Sequence, residues 1–248
     1  LCQPNVASLS DIEPKKKPDI RIVGSLKLNA VSTPVDKTFA DQLRVAAGSR
    51  PILLAASTHS PEEQILLKAS QEVVRAGYPH LLIIAPRHSD RSQDIARLMP
   101  QAAHRSKNQL PLLGDNHFLA DSFGEMSSLV TAADIVILGG SFVPKGGHNP
   151  LEIAALSTPL ITGPSQFKNK VEFDTLQQYG QCITVKDGAT LVKQLTIWLE
   201  ALRTDGRAIP QDNLDKACAY VKQACERPAK TARLIIDRLP TQHHPNQN

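Results

Sequence analysis

Apolar positions along this chain fall into short unbroken runs, separated by longer stretches in which they recur every three or four residues. The runs are Pro51 to Ala56, His80 to Ala85, Ile135 to Leu138, Pro159 to Thr162 and Cys182 to Val185. A continuous apolar run bounded by turn residues predicts a strand buried on both faces. Segments 61–76, 90–99, 123–133, 150–157, 166–179, 189–203 and 211–225 carry the helical period instead. Strand followed by helix, repeated with no internal repeat of fixed period, predicts an α/β fold: a Rossmann-like doubly wound parallel sheet.

Outside this pattern, residues 1–19 place Pro4, Pro14 and Pro18 around Lys15-Lys16-Lys17 and read as a linker or interdomain arm. Residues 20–240 read as one domain, and TQHHPNQN at 241–248 as a disordered tail.

The starts of the helices carry the functional signal. Ser60-Pro61-Glu62-Glu63, Pro86-Arg87-His88-Ser89, Ser122-Phe123-Gly124-Glu125 and Asn149-Pro150-Leu151-Glu152 each follow a strand or open a helix. Three of them fit a cap-x-x-Glu box, and two place Pro at the expected first helical position. In a parallel sheet every strand-to-helix loop emerges at the same edge, so these N-termini are expected to converge on one crevice. Unpaired N–H groups and the positive ends of helix dipoles would make that crevice an anion site, with phosphate the usual guest.

Within GGSFVPKGGHNPLE, residues 139–152, the glycines Gly139, Gly140, Gly146 and Gly147 are expected to let the main chain approach a ligand or take positive φ. The segment is neither a GxxxxGK[ST] phosphate loop nor a GxGxxG fingerprint. Glu152 stands three residues after Asn149, so it is either a capping partner or a carboxylate facing a ribose diol. Glu125 after Ser122 poses the same choice. Arg87, at a strand end, is either a surface residue or a fork for a phosphate. His59, His88 and His148 lie in separate loops with no HxH or HExxH pair, so no metal site is expected.

Composition narrows the class without deciding it. The chain has 248 residues, 41% of them hydrophobic and a formal charge of +4, enough for a substantial core. Its basic residues are scattered and its aromatics scarce, which argues against nucleic acid as a partner. Cys2, Cys182, Cys218 and Cys225 show no CxxC spacing, pointing to a reducing compartment rather than a disulfide framework. No apolar run approaches the roughly 18 residues that span a bilayer, and no signal peptide is visible. Starting on Leu1 rather than Met, the sequence reads as part of a longer chain.

GGSFVPKGGHNPLEIAAL closely resembles the signature of the 3-deoxy-D-manno-octulosonic acid (Kdo) transferases. Further landmarks follow in the order found in that family: GSLKLN at 24–29, STHSPEE at 57–63, APRH at 85–88, GD followed by DSFGE within 114–125, and TGP at 162–164. The match covers roughly residues 20–200. Ser25, Phe123 and Ser165 stand where family members commonly carry other residues.

The resemblance implies the C-terminal, donor-binding half of a GT-B glycosyltransferase that moves Kdo from CMP-Kdo onto a lipid A precursor in lipopolysaccharide biosynthesis. It implies CMP contacts from Pro86 and Arg87, from Phe123, Gly124 and Glu125, and from Asn149, Pro150, Leu151 and Glu152. It implies no cofactor and no metal. The general base is expected on a Glu of an N-terminal acceptor domain, so this chain by itself should bind without transferring. The full-length enzyme is expected at the cytoplasmic face of the bacterial inner membrane, with this part soluble. Alternatives are a GT-B relative acting on another nucleotide sugar, such as a UDP-sugar transferase or an epimerase, and a non-catalytic nucleotide-binding module.

Overall fold

The computed structural model describes residues 34–237. The arm expected at 1–19, the GSLKLN motif at 24–29 and the tail at 241–248 lie outside the described residues.

The strands are β1 (Ile52–Thr58), β2 (Leu81–Pro86), β3 (Ala103–His104), β4 (His117–Leu119), β5 (Ile135–Leu138), β6 (Leu160–Thr162) and β7 (Cys182–Thr184). They form one seven-stranded sheet in the order β3-β4-β2-β1-β5-β6-β7, with every pairing parallel. The helices are α1 (Lys37–Ala47), α2 (Glu62–Arg75), α3 (Ser92–Leu98), α4 (Met126–Ala132), α5 (Leu151–Ala155), α6 (Lys170–Gln178), α7 (Gly188–Asp205), α8 (Gln211–Cys225) and α9 (Arg227–Ile236).

Alternation along β1 divides the core between the two faces of the sheet. Ile52, Leu54 and Ala56 pack with Phe39 and Leu43 of α1, Leu129 of α4, Leu151 of α5 and Val221 of α8. Leu53 and Ala55 pack on the opposite side with Leu66 and Val73 of α2, Ile95 of α3, and Leu195 and Trp198 of α7. Ile52 through Ala55 are 0% exposed, which explains why the strand reads as an unbroken apolar run. Burying each such Leu or Ile contributes about 1.5–3 kcal/mol. The doubly wound sheet read from the sequence is the architecture observed.

The chain runs outward from β1 through β2 and then returns to place β5 on the other side of β1. The direction of winding therefore reverses between β1 and β5, the place where open α/β sheets form a crevice. Strand ends are level along this edge, with Thr58 opposite Pro86, Ala56 opposite Leu138 and Leu138 opposite Thr162.

Two short strands, β3 and β4, and two helices, α1 and α9, extend the expected element list. The helix expected at 123–133 begins at Met126, and the one expected at 166–179 begins at Lys170. A three-residue 3-10 turn, Ser89–Arg91, precedes α3.

Candidate functional site

The loops after β1, β2 and β5 meet at the switch point, and a buried carboxylate joins two of them. Glu62 opens α2 and is 0% exposed. Its carboxylate accepts from the N–H of His59 at 2.8 Å and, across the crevice, from Gly140 at 2.8 Å, Ser141 at 3.0 Å and Phe142 at 2.9 Å. The N–H groups that a glycine-rich loop would offer to a phosphate are thus taken by the protein's own anion. Glu63 beside it holds Arg91 in a two-pronged pair at 2.7 and 3.0 Å and accepts from Thr58 Oγ1 at 2.7 Å. The Arg91 bonds hold the Glu63 carboxyl below its usual range against the upward push of burial.

The three cap-x-x-Glu boxes expected at 60–63, 122–125 and 149–152 do not form. Pro61 and Pro150 each stand one residue before the helix they introduce rather than inside it. Side-chain caps occur instead at Asp36, which accepts from Phe39 N–H at 3.1 Å, and at Asp187, which forms a reciprocal box with Thr190. At the rim, carboxylates join loops to one another, Glu62 adding one bond back to His59 just ahead of its own helix.

Of the four glycines singled out in the sequence, Gly139 alone departs from the expected purpose. A Cβ on Gly139 would lie 2.3 Å from the carbonyl oxygen of Ser57, so this residue lets β5 leave the sheet against β1, with no ligand involved. Gly140, Gly146 and Gly147 do take positive φ, at 67°, 86° and 68°.

Arg87 emerges from the end of β2, tied through its backbone N–H to Thr58 O at 3.0 Å. Its guanidinium is exposed and makes no hydrogen bond or ion pair among the described residues. Asn149 accepts from Leu151 N–H at 3.1 Å. Glu152 is half-buried and has no hydrogen-bond partner among the described residues. Burial pushes its carboxyl above the usual carboxylate range, and the positive charge of nearby Arg87 opposes this without closing an ion pair. Pro150 and Leu151 are buried, and Leu151 belongs to the core, so toward the crevice they present backbone rather than side chain. Pro86 is the last residue of β2 and half-buried.

The fourth expected contributor stands farther along the same edge. Glu125 is bound by Arg105 at 2.5–3.0 Å and by the Ser122 hydroxyl, and Arg105 in turn lies 4.3 Å over the Phe39 ring. These bonds hold its carboxyl below the usual range. Phe123 is 69% exposed, and Gly124 has φ +82° with open space around it. Among the described residues, no hydrogen bond or ion pair joins this loop to Arg87 or Glu152.

Sequence reasoning treated the histidines only as possible metal ligands. The structure brings them together: His59 Nε2 lies 2.9 Å from His148 Nε2, and His88 meets His59 edge-on with ring centres 5.7 Å apart. Among the described residues, no three His, Cys, Asp or Glu side chains gather as a metal-binding group. No helix among them is long and apolar enough to cross a membrane.

Known proteins resemble this chain in sequence and in fold. A 3-deoxy-D-manno-octulosonic acid transferase of Haemophilus influenzae is 39% identical over 160 residues, 62% of this chain and 37% of that protein. The enzyme of the same name from Rickettsia conorii is 31% identical over 183 residues, 72% of this chain and 39% of its own. The chain thus spans about two-fifths of the length of these relatives. The C-terminal CMP-Kdo binding domain of WaaA from Acinetobacter baumannii superposes with a TM-score of 0.63 at 26% identity, covering 75% of this chain and 98% of that one. A glycosyltransferase from Rickettsia africae shares the fold alone, at 12% identity and a TM-score of 0.54 over 84% of this chain and 57% of that one. No family model matches the chain.

Proposed function

Since this chain belongs with the C-terminal part of the Kdo transferases, we propose that it is the donor-binding domain of an enzyme that transfers Kdo from CMP-Kdo to a lipid A precursor. The observation that carries the reading is the placing together, at the switch point, of two groups that bond to no other side chain among the described residues: the exposed guanidinium of Arg87 and the half-buried carboxylate of Glu152. Leaving a half-buried carboxylate without a donor is unfavourable for folding, and ligand hydroxyls would supply what is missing.

In this reading Arg87 forks onto the phosphate of CMP, and Glu152 accepts from the ribose diol. The loop at Phe123 and Gly124 lies open beside the base. As the acceptor hydroxyl attacks the anomeric carbon, negative charge grows on the departing phosphate, and Arg87 stabilises that state more than the ground state. α5 has only five residues, so its contribution is a few unpaired N–H groups rather than a long summed dipole. Neither a cofactor nor a metal is invoked. The general base would come from the acceptor domain, so this chain binds donor without turning it over. The acceptor being a lipid, the whole enzyme would work at the cytoplasmic face of the inner membrane.

Titration calorimetry with CMP tests the reading. Binding is expected, and Arg87→Ala should weaken it by about 1.5–3 kcal/mol through loss of a charge-assisted contact. Undiminished binding by that variant, or a preference for UDP over CMP, would overturn it.

A further inference from the structure

Beside Arg87 and Glu152 lies a group of basic side chains that the CMP contacts leave unused. The rings of His59 and His148 are parallel within 3°, with centres 5.1 Å apart, and meet edge to edge through nitrogens 2.9 Å apart. Gly140 runs beneath them: a Cβ there would come within 3.2 Å of His148 and 3.5 Å of His59. Lys145 and Lys168 flank the pair, exposed and without ion-pair partners among the described residues, the first acting on His59 and the second on His148.

The surrounding charges leave this cluster positive. From the β2 loop, Arg87 and His88 face His148, while His88 and Arg91 face His59. Glu63 is the acid that acts on His59, and it is already held by Arg91. Glu62 is enclosed by four backbone N–H groups. Burial and these cations push the His148 imidazole down to about 4 and lower that of His59.

The pair has room for one more proton. When both rings are neutral, one Nε2 donates to the other, and an added proton goes to the donor ring's Nδ1. A second would set two N–H groups against each other across 2.9 Å. An arriving anion lowers the cost of that first extra charge, so binding and proton uptake are coupled.

We propose that His59 and His148, with Lys145 and Lys168, form a second anion subsite that takes the carboxylate of the donor's sugar acid and draws in one proton as it does so. The inference rests on the donor reading above and assigns this cluster within it. Such a donor carries its carboxylate on the same carbon as the phosphate oxygen, so the two anions need neighbouring sites. Arg87 is the shared neighbour, acting on both Glu152 and His148.

The test titrates Kdo, and separately its methyl ester, into the chain saturated with CMP. Kdo should bind and the uncharged ester should not. Kdo affinity should rise severalfold from about pH 8 to pH 6, with proton uptake seen as a dependence of heat on buffer. His148→Gln and Lys145→Ala should each weaken Kdo by about tenfold, with much smaller changes for CMP. Because the pH response is read on the unaltered chain, a variant that folds poorly does not decide the outcome. If CMP binds but Kdo does not, or binds no better than its ester, or shows no pH response, the subsite is refuted while the donor reading survives. If CMP itself does not bind, both fall.

Discussion

Glu62 Oε2 lies 2.8 Å from the backbone N–H of Gly140, seventy-eight residues farther along the chain. This contact, repeated at Ser141 and Phe142, ties the loop after β5 to the first turn of α2 and gives the crevice its shape. Replacing the carboxylate by an amide would turn an NH2 group toward backbone N–H donors. Glu62→Gln should therefore cost about 2–4 kcal/mol in urea unfolding. A loss below about 0.5 kcal/mol would show that the contact does not brace the rim.

Glu152 should behave in the opposite way. A carboxyl raised by burial opposes folding at neutral pH, because the folded state disfavours the charged form that the unfolded chain holds freely. Glu152→Gln should leave the chain as stable or slightly more so, by less than about 1 kcal/mol once solvent screening is allowed for. CMP affinity should fall in the same variant. Thermal unfolding paired with calorimetry checks both, and a clear loss of stability would contradict the assignment of Glu152 to a ligand.

His80 sets an acid limit on the fold. It is 1% exposed, with Nε2 2.7 Å from Ser70 Oγ and Nδ1 donating to Tyr78 O at 2.9 Å, and burial pushes its pKa down to about 4. With an unfolded value near 6.5, the unfolded chain takes up the proton first. The stabilisation is complete above about pH 6.5 and is lost as pH falls toward 4, in total on the order of 3 kcal/mol. The His80 ring resonance should show no titration down to about pH 5 by NMR, and urea midpoints should drop from pH 7 to pH 5. A ring that titrates near 6.5 would refute the prediction.

Glycine substitutions should separate structural constraint from open loop. Gly139→Ala drives a methyl into Ser57 O at 2.3 Å, backbone against backbone, and should cost more than about 3 kcal/mol or abolish folding. Gly124→Ala meets open space and faces only the strain of φ +82°, about 1–2 kcal/mol. Comparable melting temperatures for the two variants would contradict this account.

Five of the strands and seven of the helices were legible because burial marks them: β1 is buried on both faces between two cores and reads as an unbroken apolar run, and α2 and α7 each turn one stripe inward. β3, with two residues, is too short for any pattern to emerge, whereas β4, with three, is as long as β6 and β7 and offered a cue in its buried Phe118 and Leu119. α1 did carry a signal, with Asp36 as cap, Phe39, Ala40, Leu43 and Ala47 on one face, and Gly48 as stop. The crevice was legible from parallel topology alone. Its wiring was not, since spacing cannot tell a Glu that caps its own helix from one that reaches across to another loop. Glu62, Glu63 and Glu125 all took that second course, and the proximity of His59 to His148 is a long-range contact that no local pattern contains.

Because Glu62 fastens the loop after β5 to the start of α2, the placing of the two loops does not wait for a guest. Association should proceed close to lock-and-key, ordering little more than the Arg87 and Glu152 side chains, so most of the contact energy is retained as affinity rather than offset by induced order.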